Sequence, residues 1–248
     1  MMKSWLLKNF FILQFVVLAA SASSENVSPE KYLQLGCSDW KPYCYKQDSH
    51  IRGQLIDLSR TIMDAAGFEY TIDVFPWKRV YQQGLKQPNF LILGLGRTAK
   101  REKLFKWIAP LKNPSEIYAY QHVDSGISLA SNDDLSQYSI AVERGSYTYD
   151  FLVKRGHDKE KIIIVSRYDQ LYRMVRSKRA QLLLMDSKAF LPEAMRNGFN
   201  PELFKPSLLT FVVTEYMATG LNTSDAIVER LKASYDALLQ QGKIVLPD

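Results

Sequence analysis

The sequence contains few of the residues that form reactive or metal-binding centres. Its 248 residues include only two cysteines and three histidines. None of the histidines, His50, His122 and His157, stands in the spacing of a metal site. A Gly-x-Ser-x-Gly sequence, which places the nucleophile of many hydrolases, is also missing. We therefore expect no metal, no cofactor and no catalytic residue in this chain.

Phosphate-binding loops are missing as well. Gly94-Leu95-Gly96 precedes Lys100, but the stretch lacks the Gly-Lys-Ser/Thr end of a P-loop and the third glycine of a dinucleotide fingerprint. The sequence also has no repeats of solenoid period and no low-complexity tracts. These absences argue against a nucleotide-binding protein and against a repeat protein.

Long apolar runs are limited to one, Phe10–Ala20, close to the N-terminus. It is shorter than the roughly 20 residues that span a bilayer. The small residues Ala20-Ser21-Ala22 follow it, as is typical of a secretory cleavage site. We interpret residues 1–22 as a signal peptide and predict a periplasmic protein; an uncleaved membrane anchor is the weaker alternative.

The positive charge of the chain is small once this segment is set aside. The net charge of +6 counts Lys3 and Lys8, so the remaining 30 basic and 26 acidic residues give +4. This excess is a poor argument for nucleic-acid binding, and we expect no nucleic-acid partner. Export also affects Cys37 and Cys44, because their spacing permits a disulfide in an oxidising compartment without requiring one.

Hydrophobic periodicity predicts alternating strands and helices in the first half. Strands are expected at Tyr32–Gly36, Phe68–Phe75 and from Leu91. One helix is expected to begin at Gln54, and another after Pro76. This alternation is typical of a parallel α/β sheet.

The alternation continues in the second half, which ends in an amphipathic helix from Thr223 or Ser224 to Gly242. Strands are predicted at Ile117–Val123, Ile127–Ala130, Ser139–Glu143, Lys161–Val165, Gln181–Met185 and Leu208–Met217. We predict two α/β units with a cleft between them. Ligands of such sheets bind at the carboxyl ends of the strands.

The stretch Leu91–Pro110 carries the clearest candidate site. Gly94 and Gly96 allow a ligand to approach the backbone closely, and Thr98 and Arg101 follow them. Arginine can hold a carboxylate through two parallel hydrogen bonds. The stretch therefore suits a small anion, although a solvated basic turn explains it equally well at this level.

Six short motifs occur in order along the chain. They are Trp40-Lys41-Pro42-Tyr43, Arg52-Gly53-Gln54-Leu55-Ile56-Asp57-Leu58, Phe75-Pro76-Trp77, Thr98-Ala99-Lys100-Arg101, Ile140-Ala141-Val142-Glu143-Arg144-Gly145-Ser146 and Leu184-Met185-Asp186. In this order and spacing the chain resembles the family 3 bacterial extracellular solute-binding proteins, the two-lobed periplasmic receptors typified by amino-acid binders of ABC transporters.

The resemblance implies a type II periplasmic-binding-protein fold, with two α/β lobes joined by two crossover strands. Residues 23–116 and 217–248 would form the first lobe, and residues 117–216 the second. It also implies a monomer that captures a small carboxylate-bearing ligand, most simply an amino acid, for ABC-type uptake or sensing. An ABC permease is the partner it suggests.

The resemblance also assigns roles to individual residues. Arg101 would hold the ligand carboxylate and Asp186 its ammonium group, while backbone N–H groups of Ser146 and Tyr147 would add to the carboxylate site. Alternative roles are a surface ion pair with Glu102 or another acid for Arg101, and a helix N-cap for Asp186.

Two tryptophans, Trp40 and Trp77, fall where the family places side chains against the ligand; core packing is their alternative role. Gly94 and Gly96 stand where amino-acid binders often carry hydroxyl residues, and Arg79 and Arg97 are extra cations near the presumed cleft. A dicarboxylate or an acidic amino acid is therefore a second candidate ligand. The alternative function is a periplasmic enzyme on the same fold, performing a dehydratase-like elimination in the cleft. Among the acids of the sequence we nominate Glu143 for such a step, together with Asp39.

Overall fold

The computed structural model describes residues 32–248. The segment predicted to be a signal peptide, residues 1–22, lies outside the described residues. The strands are β1 Tyr32–Cys37, β2 Tyr45–Gln47, β3 His50–Arg52, β4 Glu69–Val74, β5 Phe90–Gly96, β6 Phe105–Pro110, β7 Ser115–His122, β8 Ile140–Glu143, β9 Ile162–Val165, β10 Leu182–Asp186, β11 Phe204–Val213 and β12 Glu215–Gly220. The helices are α1 Gln54–Ala66, α2 Trp77–Lys86, α3 Tyr147–Lys154, α4 Tyr168–Arg176, α5 Ser187–Arg196 and α6 Asp225–Gln240.

The first sheet has the strand order β4-β1-β5-β12-β6. Strand β1 pairs in parallel with β4 and with β5, as the alternation in the first half predicts. Strand β12 comes from much later in the chain and pairs antiparallel with β5 and β6. Helices α1, α2 and α6 pack on this sheet, and we call the whole unit the first lobe.

The second sheet has the strand order β11-β7-β10-β8-β9. Strands β10, β8 and β9 run parallel to one another, and β7 and β11 join them through antiparallel pairing. Helices α3, α4 and α5 pack on this sheet, and we call this unit the second lobe. The carboxyl ends of β8 and β10 lie at one edge, which places Glu143 and Asp186 close together.

The chain passes between the two sheets twice. It leaves the first sheet after Pro110 and enters the second at Ser115; it returns at Thr214, between the end of β11 and the start of β12. These crossings support the predicted lobe boundaries at residues 116 and 217, which stay a prediction.

Two predicted strands are wrong. Residues Leu208–Met217 form parts of two strands in different sheets, because the apolar pattern continues across the crossing at Thr214. Residues Ile127–Ala130 form no strand. Ile127 and Leu129 pack against the core of the second sheet, which explains their apolar character without strand pairing.

Candidate functional site

A small cavity lies between the two lobes, at the carboxyl ends of strands. Its first-lobe wall consists of Ser38, Trp40, Trp77 and Gly94. Its second-lobe wall consists of Glu143, Ser146, Tyr147, Thr148, Tyr168, Leu171, Leu184, Met185 and Asp186. The space open to the centre of a water molecule is about 30 Å³, which holds on the order of two waters. An amino acid does not fit this volume, so a ligand of that size enters only when the lobes part.

Arg101 lies beside this cavity and not in its wall. Its side chain is fully buried, and its guanidinium joins the lobes. Nη1 donates to the Gly96 carbonyl at 3.2 Å, and Nη2 donates to the Gly145 carbonyl at 3.2 Å and to Asp150 Oδ2 at 3.4 Å. The alternative of an ion pair with another acid is thus met by Asp150 and not by Glu102, but the pair is buried between the lobes and not at the surface.

Two buried polar atoms of the same motif have no partner among the described residues. They are Nε of Arg101 and Oγ1 of Thr98. Burial lowers the pKa of Arg101, and Asp150 opposes that shift. A buried polar atom without a partner costs free energy, so both atoms remain unsatisfied in this arrangement of the lobes.

Trp77 and Gly96 show how closely the lobes approach each other here. Trp77 Nε1 donates to the carbonyl of Gly145 at 3.0 Å, the same carbonyl that Arg101 binds. A Cβ on Gly96 would lie 2.5 Å from the ring of Tyr147. Gly96 is therefore required for the second-lobe tyrosine to reach its position.

Trp40 forms the opposite part of the first-lobe wall. The structure joins Cys37 and Cys44 in a disulfide, and the Trp40 amide donates to the Cys44 carbonyl at 2.7 Å within this loop. The Trp40 ring is nearly parallel to that of Tyr168 in the second lobe, with centroids 6.3 Å apart. Gly94 has φ +84°, and a Cβ there would lie 3.2 Å from the Trp40 ring, so Gly94 makes room for Trp40.

Asp186 belongs to a buried network at the crossings between the lobes. One carboxylate oxygen accepts from Lys112 Nζ at 3.1 Å and from Ser115 Oγ at 2.9 Å. The other accepts from the backbone N–H of Lys188 and so caps helix α5. The carboxylate that the resemblance assigns to a ligand ammonium already has a cation of its own.

Glu215, at the start of β12, extends this network from the second crossing. One oxygen lies 2.8 Å from Ser115 Oγ, whose single proton is shared between Glu215 and Asp186. The other accepts from the Tyr147 hydroxyl at 3.1 Å, and Lys112 Nζ lies 4.0 Å away. Burial raises the pKa of Glu215 to about 7, although the Lys112 ammonium opposes the shift. The Lys112 ammonium also lies 4.4 Å from the centre of the Tyr43 ring.

Glu143 ends β8 and lines the cavity, and only 7% of its surface is exposed. Within residues 32–248 no hydrogen-bond donor and no cation pairs with its carboxyl group. Burial raises the pKa of Glu143 to about 8, and the nearby charge of Glu193 adds to the shift. Both effects favour the protonated form of this carboxyl group.

The margin of the cleft carries two further links between the lobes. Arg196 Nη1 donates to Asp39 Oδ1 at 2.6 Å, with both side chains partly exposed. The backbone N–H of Lys41 donates to Glu193, whose other oxygen binds Arg196 and Asn197. Asp39 thus lies outside the cavity wall, unlike Glu143.

The structure brings together most of the residues expected at the site. Six of the nine predicted ligand residues line the cavity: Trp40, Trp77, Gly94, Ser146, Tyr147 and Asp186. Gly96, Thr98 and Arg101 lie behind this wall, so their contact with a ligand stays a prediction.

Sequence reasoning did not identify Lys112, Ser115 and Glu215. The available signal was a charge in apolar surroundings. Lys112 follows buried Leu111, and Glu215 lies two residues after the end of an apolar run.

Metal sites and membrane spans were searched over the same residues. No group of three or more His, Cys, Asp or Glu side chains in the described part could hold a metal ion. Nor is any helix within it long and apolar enough to cross a membrane.

Comparisons of sequence found no match: no family model and no curated protein resembles the chain significantly. Comparisons of structure found similar folds. A histidine kinase sensor domain with similarity to periplasmic binding proteins superposes with a TM-score of 0.77 at 15% identity, covering 86% of this chain and 92% of the other.

Two amino-acid receptors are similar as well. The arginine-, lysine-, histidine-binding protein ArtJ from Geobacillus stearothermophilus gives a TM-score of 0.74 at 15% identity, over 86% of this chain and 91% of ArtJ. The amino acid ABC transporter substrate-binding protein AbpA from Streptococcus pneumoniae, bound to L-arginine, gives 0.71 at 16% identity, over 86% and 91%. With its two sheets and two crossings, the chain has the two-lobed α/β fold of periplasmic binding proteins.

Proposed function

We propose that this protein is an exported, monomeric solute-binding protein. It captures a small carboxylate-bearing ligand, most simply an amino acid, between its lobes and serves ABC-type uptake or sensing in the periplasm. The observation that carries the proposal is the cavity itself. It lies between the carboxyl ends of two sheets and takes its wall from both lobes.

The carboxylate end of the ligand is assigned to the Thr98–Arg101 segment. Arg101 has an unused Nε donor, and its contact with Asp150 is long, at 3.4 Å. When the lobes part, the second-lobe carbonyl and Asp150 move away from the guanidinium. A ligand carboxylate can then take their place, and closure would bury the new ion pair away from water.

The neighbouring structures support the amino-acid class. ArtJ is named for binding arginine, lysine and histidine, and AbpA holds L-arginine. The sensor domain of a histidine kinase, with the same fold, supports sensing as an alternative to uptake.

The test is a thermal-shift screen of the purified protein against amino acids and small carboxylates. A ligand that binds only the folded state raises the unfolding midpoint in proportion to the logarithm of its concentration. A complete panel without a concentration-dependent shift would contradict the proposal.

Lys100 offers a matched control for Arg101. Both cations contact Asp150, but Lys100 is 64% exposed and Arg101 is fully buried. We expect Arg101→Ala to abolish the shift and Lys100→Ala to keep most of it. Equal losses would show that the segment acts only as a diffuse basic patch.

A further inference from the structure

Glu143 differs from every other acid that the functional argument uses. It ends a buried strand, faces the cavity and is more than nine-tenths buried. Asp186, on the neighbouring strand, has three hydrogen-bond donors, whereas the Glu143 carboxyl group has none in the described chain. The Glu143 carboxyl group lines the cavity without a partner among the described residues, so it is available to a ligand.

The groups around Glu143 supply no positive charge to it. The charge that adds to the rise in the Glu143 pKa is that of Glu193, an acid that already binds Arg196 and Asn197. Tyr168 and Tyr147 line the same cavity as neutral phenols, since burial raises the pKa of both well above its ordinary value.

The cations near the cavity are not available to Glu143. Lys112 is engaged by Asp186 at 3.1 Å and lies 4.0 Å from Glu215. Arg144, next to Glu143 in the chain, is exposed at the surface. Within the described residues, Glu143 is thus the cavity carboxyl group whose charge no internal cation would neutralise.

We infer that Glu143 receives a positively charged group of the ligand, an ammonium or a guanidinium. This inference rests on the proposed function and deepens it, because it makes a cation a required part of the ligand and assigns that cation to Glu143. An ion pair in a closed, dry cavity is favourable when both charges are matched. The faces of Trp40 and Tyr168 in the same cavity wall would further favour a cation.

Binding of this kind has a proton signature. Burial raises the pKa of Glu143 to about 8, which favours the protonated carboxyl group in the free protein. When a ligand cation pairs with the carboxylate, the O–H proton leaves to solvent and the negative charge stays on Glu143. Affinity should therefore rise by up to tenfold per pH unit as the pH approaches 8, and level off above it.

The experiment measures affinity and proton release by isothermal titration calorimetry. The panel comprises arginine, lysine, glutamine, putrescine, succinate and propionate, and each titration is repeated in two buffers of different ionisation enthalpy. The variants are Glu143→Gln and, as a matched control, Glu116→Gln, which makes the same change at an exposed position of the same sheet.

The expected result is that the tightest ligands carry a cation and release most of one proton at pH 7. Their affinity should fall at least tenfold in Glu143→Gln and less than threefold in Glu116→Gln. If Glu143→Gln fails to fold, two other measurements test the inference. A Glu143→Asp variant keeps the charge and should still prefer ligands with a cation. The unmodified protein should release a proton when it binds such a ligand.

Other outcomes separate this inference from the proposed function. Tight binding of succinate or propionate with no preference for cations overturns the inference and leaves the solute-binding function standing. Binding of a cation that is unchanged in Glu143→Gln, or that releases no proton, also overturns the inference. An entire panel without binding contradicts both.

Discussion

Asp186 and Glu143 end neighbouring parallel strands of one sheet and line one cavity, yet their surroundings are opposite. Asp186 accepts hydrogen bonds from Lys112, Ser115 and the Lys188 amide. Glu143 accepts none from the described residues. The comparison teaches that position at the carboxyl end of a sheet does not by itself define a ligand contact.

The difference follows from the position of each strand in the sheet. Strand β10 lies beside β7, so its end meets the first crossing of the chain, which supplies Lys112 and Ser115. Strand β8 lies between β10 and β9, and its end meets Tyr168 and the acid Glu193 instead. The Asp186 carboxylate is therefore paired within the protein, whereas the Glu143 carboxyl group has no partner among the described residues.

Removal of Lys112, the cation that pairs with Asp186, should have the largest effect on stability. Lys112→Met leaves the buried acids Asp186 and Glu215 without a counter-charge, and breaking a buried ion pair costs about 3–5 kcal/mol. Urea-induced unfolding measures this loss in the free energy of unfolding. The control Lys100→Met removes an exposed lysine that pairs with Asp150 and should cost less than about 1 kcal/mol. Similar losses in the two variants would show that the network contributes little.

Replacement of Glu143 by glutamine should instead raise the free energy of unfolding. Its pKa rises from an ordinary 4.5 to about 8 on folding, so the folded protein keeps a proton that the unfolded chain loses. The stability of the unmodified protein therefore falls as pH rises from about 4.5 to about 8. Glu143→Gln has no such proton, and at pH 8 it should unfold with a free energy higher by on the order of 2–4 kcal/mol.

The pH dependence is the decisive part of that prediction. At pH 5 the gain should nearly vanish, as thermal unfolding at both pH values can establish. Glu116→Gln, at an exposed position on the same sheet, serves as the control and should show no gain that grows with pH. A gain of equal size at pH 5 and pH 8 would contradict burial of the charge as its cause.

The fold could be predicted where local pattern and tertiary role agree. Helix α1 follows from its apolar spacing between Gly53 and Gly67, and β1 and β4 from their alternation. Strand β6 was missed because Phe105–Pro110 follows a charged turn and pairs only with β12, more than 100 residues later. The run Leu208–Met217 concealed a change of sheet, since both of its strands are partly buried.

The site could be predicted only as far as single motifs extend. Trp40, Trp77 and Asp186 lie in motifs and do line the cavity. Local spacing could not show that Asp150 would meet Arg101, or that Lys112 would meet Asp186, because each pair is joined by tertiary structure alone. Those partners decide which charges remain for a ligand.

A moderate effect is expected where the Asp186 network reaches across the cavity wall. Tyr147→Phe removes the hydroxyl that donates to Glu215 at 3.1 Å, and a buried acceptor that loses a donor costs about 1–3 kcal/mol. Chemical unfolding at pH 7 measures the loss. Tyr149→Phe lies on the same helix, and within the described chain its hydroxyl has no hydrogen bond; it should leave stability nearly unchanged. Equal behaviour of the two tyrosines would remove Tyr147 from the network.

The smallest effect is expected for the acid with one of the shortest contacts. Asp39 accepts from Arg196 at 2.6 Å, but its side chain is 49% exposed. Exposed pairs contribute less than about 1 kcal/mol, because water and salt screen them. Asp39→Asn should therefore lower the free energy of unfolding only slightly, and added sodium chloride should reduce even that difference. A loss of stability as large as that of Lys112→Met would contradict this prediction. It would mean that the contact distance, and not burial or the number of hydrogen-bond donors, determines how much each acid around this cleft contributes to stability.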